Sequence, residues 1–161
     1  MMKPQILACL FLSSAASAAE EAPDLAQANK LVNTTMRKLS QGNSAIAELI
    51  EKEYRARTNL ELQLRGLDQD FAKKHAAYVD SRAKMTNEDD ASKKAYATAR
   101  DAMIADLIVK AKAEAKVAAK LKDWHEATDT VQDKVATELA KTDADKAEAF
   151  KKALVLVRAA R

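Results

Sequence analysis

The fold is decided by residues 46–85, whose sequence is IAELIEKEYRARTNLELQLRGLDQDFAKKHAAYVDSRAKM. Large side chains recur there at intervals of three and four residues, the spacing that places them on one face of an α-helix. The segment from Leu60 to Phe71 is typical of a coiled-coil seam, and polar residues dilute the seam at both ends. Two heptad positions carry it, the first holding Ile46, Glu53, Leu60, Leu67, Lys74 and Ser81, and the second holding Ile50, Arg57, Leu64, Phe71, Tyr78 and Met85.

A turn signal, TNEDD at residues 86–90, follows this stretch. Thr86 and Asp89 form a capping-box pattern, and the acidic residues suit the positive end of a helix dipole. Beyond the turn, large side chains again share one helical face. They are Met103, Leu107, Val117, Leu121, Trp124, Thr128 and Val135. The pattern therefore predicts a second long amphipathic helix.

Two long amphipathic helices joined by a short turn predict an antiparallel hairpin. An arm of fifty residues would be about 75 Å long, so we expect an all-α, coiled-coil-like rod with shorter flanking helices. With the turn near residue 87, large side chains would face large ones in the pairs Phe71–Met103, Leu67–Leu107, Ile50–Trp124 and Leu39–Val135. Polar seam residues leave such a hairpin thinly packed, which also favours self-association.

The predicted helices span about 24–40, 44–85, 87–141 and 143–160, all within a single helical domain of residues 19–161. Gly42 followed by Asn43 or Ser44 indicates a break after the first helix, although one continuous helix over 24–85 fits the sequence equally well. Thr142 with Asp145 predicts the cap of the last helix.

The composition suits thin helix–helix seams better than a thick core. Aromatic residues make up 4% of the 161 residues, and the chain has two Gly and two Pro. Few segments alternate with the period of a strand, so we predict no strands. The net charge of +3 excludes a strongly basic nucleic-acid binder, although it leaves room for a local basic patch.

Residues 1–18 have the pattern of a secretory signal peptide. Lys3 supplies the positive start, an apolar run from Ile6 to Leu12 follows, and Ala16 and Ala18 have the spacing of a cleavage site. Cys9 also suggests a lipobox, but the apolar run continues past it. We therefore expect a periplasmic or secreted protein without a cysteine after cleavage, which excludes disulfides and thiol catalysis.

No residue pattern predicts an enzyme, a cofactor site or a metal site. His75 and His125 would lie roughly 35–40 Å apart along the hairpin and could not share a metal ion. His125 with Asp129 lacks a third strong ligand. Acidic pairs such as Asp89 with Asp90 fall at helix starts, where capping explains them, and a rod lacks the concave pocket that small-molecule sites need.

The segment from Lys110 to Lys122 is rich in Lys and Ala. Lys112, Lys116 and Lys120 recur at intervals of four residues, so a continuous helix would carry them as one stripe. Such a stripe attracts anionic lipid headgroups or polymers through its summed field. The alternative interpretation is a solvated outer face that keeps an Ala-rich helix soluble.

In architecture, an exported all-helical protein of this size with a sparse core resembles the small periplasmic helical chaperones of the Spy and CpxP group. Their repeated Leu-Thr-x-x-Gln signature is missing, so the resemblance transfers no residue roles. We expect a non-enzymatic binding, scaffolding or chaperone-like role in the cell envelope, with a protein partner or self-association. The alternative is a peripheral binder of an anionic envelope polymer or membrane surface through the three lysines.

Overall fold

The computed structural model describes residues 23–86 and 89–161. The predicted signal peptide and Cys9 lie outside the described residues, and so do Asn87 and Glu88 of the predicted turn. Six α-helices account for most of the described chain, and no strand occurs in it, which confirms the all-α prediction. They are α1 (Pro23–Ser40), α2 (Ser44–Leu67), α3 (Gln69–Lys84), α4 (Asp90–Ala113), α5 (Ala118–Thr142) and α6 (Ala144–Ala159).

Asx side chains cap the starts of four helices. Asn43 Oδ1 accepts a hydrogen bond from the backbone N–H of Ile46, as the sequence indicated. The capping residue of α4 is Asp89 and that of α6 is Asp143, whose carboxylates accept backbone N–H groups of the first helical turn. The capping boxes predicted at Thr86 and Thr142 are therefore wrong. Each helix begins further along the chain than predicted, at a nearby Asp whose side chain caps it.

Each of the two long predicted helices is divided in the structure. Residues 44–85 form α2 and α3, which are separated by the single extended residue Asp68 (φ −131°, ψ 112°). Residues 90–141 form α4 and most of α5, which are separated at 114–117. The region 24–85, left open as one helix or two, contains three. The finer prediction of a long antiparallel hairpin forming a rod is not confirmed, because both arms are interrupted.

At Asp68 the chain folds back, so that α3 returns along α2. His75 Nε2 lies 3.4 Å from Glu61 Oε2, and these two residues stand at equal sequence distances from Asp68. Tyr54 and Arg82 also stand at equal, larger distances from it, and Arg82 Nη1 lies 3.5 Å from the Tyr54 hydroxyl. Contacts at two distances from the bend show that α2 and α3 lie side by side.

The remaining helices pack around this fold-back. Helix α4 packs against α3, with Lys74 Nζ 2.7 Å from Asp106 Oδ1. Helix α5 packs against α2, where Trp124 Nε1 donates to Glu53 Oε1 at 2.5 Å. Helix α6 returns along α5, and α1 covers α6 and α5. The cross-helix contacts Glu53–Trp124 and Asp68–Lys110 lie within about one helical turn of the predicted pairs Ile50–Trp124 and Leu67–Leu107, but Leu67 itself is 45% exposed and lies outside the core.

One apolar core runs through all six helices. Phe71 and Met103, which were predicted to face each other, are both fully buried on the adjacent helices α3 and α4. Within the described part of the chain, no helix is long and apolar enough to cross a membrane. The largest fully buried side chains are Trp124, Phe71, Phe150, Ile46, Leu60, Leu64, Met103, Ile104, Leu107, Ile108, Val117 and Val131.

Candidate functional site

An open apolar groove lies between α5 and α6. Its volume is about 490 Å³, and small side chains on α5 form one wall because Ala136 and Ala140 leave space that larger residues would fill. Leu154 and Val155 of α6 form the opposite wall. Val155 is 68% exposed, the highest exposure among the exposed large apolar residues of the described chain. The groove thus offers an apolar surface to another molecule.

The charged residues around the groove differ in how they are paired. Arg158 Nη2 lies 2.7 Å from Asp133 Oδ1, and its Nε donates to Gln132 Oε1 at 3.1 Å. This guanidinium is held between α6 and α5. Lys151, also on the groove lining, is exposed, and the described residues provide no ion pair for it. An apolar segment that also carries an acidic side chain would pack against Leu154 and Val155 and pair with the Lys151 ammonium group.

The three predicted lysines do not form one helical stripe. Lys112 lies in the last turn of α4, Lys116 lies in the connection, and Lys120 lies in α5. The helix ends at Ala113 because Glu114 adopts an extended conformation (φ −103°, ψ 104°). Lys112 Nζ donates to the Arg161 carbonyl oxygen, and Lys120 Nζ lies 3.3 Å from Asp123 Oδ2. Lys116 remains exposed.

The two histidines lie in different environments. His75 is buried in α3 beside Glu61, whereas His125 in α5 is half-buried beside Trp124, with ring centroids 5.6 Å apart. Burial lowers the pKa of His125, and the nearby Arg161 and Lys112 cations lower it further. Asp129, the residue weighed as a metal ligand with His125, pairs with Arg158 and Arg161. Across residues 23–86 and 89–161, no group of three or more His, Cys, Asp or Glu is arranged to hold a metal ion.

A buried polar cluster lies where α3 folds back on α2. The Glu61 side chain is almost fully buried, with one carboxylate oxygen 3.2 Å from Arg57 Nε and the other 3.4 Å from His75 Nε2. Burial raises the pKa of Glu61, and the charges of Arg57 and His75 offset part of that rise. The cluster sits within the core, and the open groove lies on other helices. It therefore acts as a contact between helices.

All three tyrosines of the chain surround this cluster. The Tyr78 ring lies 6.0 Å from the His75 ring and 5.8 Å from the Tyr96 ring of α4. Burial raises the pKa of Tyr78, and the neighbouring Tyr96 raises it further. The Arg57 guanidinium lies 5.3 Å above the Tyr54 ring. Aromatic and cationic side chains thus join α2, α3 and α4 at one level of the bundle.

The polar residues on the predicted seam have specific partners. Glu53 accepts a hydrogen bond from buried Trp124, and Lys74 pairs with Asp106 of α4. Arg57 pairs with Glu61. The heptad pattern marks these positions as dilutions of the seam, but it does not reveal Glu61, because its partner His75 becomes a neighbour only when the chain bends at Asp68. The one local signal was Gly66 shortly before Asp68, a helix-ending residue followed by a helix-starting one.

The chain was compared with models of known protein families, with curated proteins and with solved structures, and none of them matches it.

Proposed function

We propose that this chain is an exported, non-enzymatic helical protein that binds apolar segments of other proteins in a chaperone-like or scaffolding role in the cell envelope. The observation that carries the proposal is the open groove between α5 and α6, with its exposed Val155. Val155 and the groove beside it supply apolar side-chain surface that a bound apolar segment would remove from water. Export is supported by the signal-peptide pattern of residues 1–18.

The proposed occupant is a short apolar segment that carries an acidic side chain. Its apolar residues would lie against Leu154 and Val155, and its carboxylate would reach the Lys151 ammonium group. Burying the apolar atoms supplies most of the binding free energy, and the charge pair favours one orientation. A second copy of the chain is an alternative partner, and an elongated hairpin form would offer either partner a longer surface.

The test of this function is suppression of aggregation. The purified chain should delay light scattering from reduced insulin, and Val155→Asp should weaken that effect by roughly tenfold in the concentration required, because the groove then presents a charge to an apolar segment. Val109→Asp is the matched control, since Val109 is 54% exposed on α4 and does not line the groove. Equal loss in both variants, or no suppression by the parent chain, would refute the proposal.

The alternative function is attachment to an anionic envelope polymer or membrane surface. Exposed Lys112 and Lys116 support it, although the stripe is interrupted. Charge reversal at Lys112, Lys116 and Lys120 should abolish co-sedimentation with phosphatidylglycerol vesicles and leave aggregation suppression intact. Vesicle binding that survives this triple substitution would remove the lysines from consideration.

The proposed location is tested separately. Expression of the full chain in a bacterial host should release a product that begins at Ala19 and is found in the periplasmic fraction or the medium. A cytoplasmic product that retains Met1 would contradict the proposed export.

A further inference from the structure

The bend between α2 and α3 consists of a single residue. Asp68 ends α2, where its N–H donates to the Leu64 carbonyl oxygen at 2.8 Å, and it also caps α3, where its carboxylate accepts the Phe71 N–H at 2.8 Å. Helical hydrogen bonding in α2 thus continues up to Asp68, and α3 begins directly after it. A change in the backbone angles of one residue would therefore reorient α3 relative to α2 without unwinding either helix.

The second break in the bundle lies at the same level. Lys110 Nζ, in the last turn of α4, lies 2.6 Å and 2.7 Å from the two carboxylate oxygens of Asp68. The connection 114–117 begins one helical turn later. The α2–α3 arm and the α4–α5 arm are therefore interrupted side by side. This is the arrangement of a common hinge with one bend in each helical arm.

Helices α3 and α4 form a unit beyond this hinge. Lys74 pairs with Asp106 across their contact, and Phe71 and Met103 are fully buried. By contrast, the contacts identified from α3 back to α2 include the Glu61–His75 contact and the exposed Arg82–Tyr54 hydrogen bond. The unit is thus joined internally by buried apolar side chains, and its side toward α2 combines these polar contacts with a share of the common apolar core.

The sequence is compatible with a straight arm as well as with the bent one. The seam residues Leu60, Leu64, Leu67 and Phe71 keep their heptad register across Asp68. An uninterrupted helix would therefore place the same apolar residues on one face and keep the order of pairing between the two arms. The extended arrangement would keep the contacts of α3 with α4 and of α2 with α5, and it would give up those of α3 and α4 with α2, so the folded-over state is the more stable one.

We propose that the α3–α4 unit swings as one body about the hinge formed by Asp68 and residues 114–117, between the folded-over state described above and an extended hairpin. This inference concerns the fold and does not depend on the proposed binding function. Groove residues lie on α5 and α6, outside the moving unit. Loss of partner binding in a Val155 variant would leave the hinge motion unchanged.

Spin-label distances measured by pulsed electron paramagnetic resonance test the swing. The chain has one cysteine, so the full chain carrying Cys9→Ser accepts labels at Arg55→Cys and Ala83→Cys, which neighbour the contacting Tyr54 and Arg82. The folded-over state gives a short distance, and an uninterrupted helix would separate the labels by about 42 Å. Labels at Asp70→Cys and Val109→Cys report the α3–α4 distance, which should stay constant.

Two substitutions should shift the populations. Asp68→Ala removes the cap of α3 and the Lys110 partner, and it places a strong helix former at the bend, so the long-distance fraction should rise by roughly threefold or more. Lys110→Met should act in the same direction without changing the hinge residue. Asp70→Ala is the matched control, because Asp70 is exposed and its ion pair is with Lys73 of its own helix.

A single short distance in the parent chain and in both variants would overturn the proposal. A long distance accompanied by loss of the α3–α4 distance would also overturn it, because that result indicates unfolding of the unit. An increase in the long-distance fraction with an unchanged α3–α4 distance is the expected result.

Discussion

Lys110 Nζ contacts both carboxylate oxygens of Asp68, at 2.6 Å and 2.7 Å, and so ties the end of α4 to the residue at which α2 and α3 separate. The same Asp68 side chain accepts the backbone N–H of Phe71. The Asp68 carboxylate thus caps α3 and also binds the last turn of α4. The bend at Asp68 and Lys110, a residue distant in sequence, therefore belong to one cluster of contacts.

The first prediction concerns the acid dependence of stability at Asp68. The hydrogen bond from Lys110, followed by that from the Phe71 N–H, lowers the pKa of this carboxyl. A lowered pKa contributes stability that is present above the unfolded value near 3.8 and is lost as the pH falls through the folded value. In urea unfolding, the advantage of the wild type over Asp68→Asn should therefore shrink as the pH falls from 6 toward 3. An advantage that is independent of pH would show that the charge of Asp68 does not contribute.

The second prediction concerns His125. Its pKa is lowered because it is partly buried near Arg161 and Lys112. Its stabilising contribution is therefore present above the unfolded pKa near 6.5 and is lost as the pH falls through the folded value. Thermal unfolding between pH 7.5 and 5.5 should show a larger loss of stability for the wild type than for His125→Gln. Parallel pH profiles of the wild type and His125→Gln would contradict the lowered pKa of His125.

Glu61 should show the opposite dependence. Burial raises its pKa, so the folded state binds this proton more tightly than the unfolded state does. The associated stability is fully present below the unfolded pKa near 4.5 and is lost as the pH rises through the folded value. Compared with Glu61→Gln, the wild type should gain unfolding free energy as the pH falls from 7 toward 5. Denaturant titrations at matched ionic strength would measure the difference.

The fourth prediction tests the core of the α3–α4 unit. Phe71 is fully buried, so Phe71→Ala should lower the free energy of unfolding by about 3–5 kcal/mol. Val79 lies on the same helix and is 49% exposed, so Val79→Ala should cost less than about 0.5 kcal/mol. Equal effects of the two substitutions would mean that α3 does not pack as described.

The last prediction tests the start of α2. Asn43 accepts the Ile46 N–H at 3.2 Å, and replacing such a cap by Ala costs about 1 kcal/mol. Asn43→Ala should therefore lower the unfolding free energy by that amount. Asn59→Ala, an exposed substitution inside α2, should leave stability unchanged or raise it slightly, because Ala is the better helix former. Circular dichroism during urea unfolding would measure both changes.

Much of the local structure could be predicted because its causes lie within a few residues of each other. The helix-forming composition predicted an all-α chain, and the described residues confirm it. The break near Gly42 and the cap at Asn43 follow from short-range hydrogen bonding. The heptad pattern identified Leu60, Leu64 and Phe71, which are all buried in the core. The Thr86 and Thr142 caps were wrong because α4 and α6 begin later in the chain, at caps supplied by Asp89 and Asp143.

The sequence alone thus determined the helical class, most of the outer ends of the predicted helices and much of their apolar faces, since these depend on residue type and spacing. Only the tertiary structure decided that the arms bend at Asp68 and at 114–117. The seam pattern is continuous across Asp68, so local rules allow either a straight helix or a bend there. The groove between α5 and α6 and the cluster around Glu61 follow from that long-range packing. A contact such as Asp68–Lys110 joins residues far apart in sequence, and no local spacing encodes it.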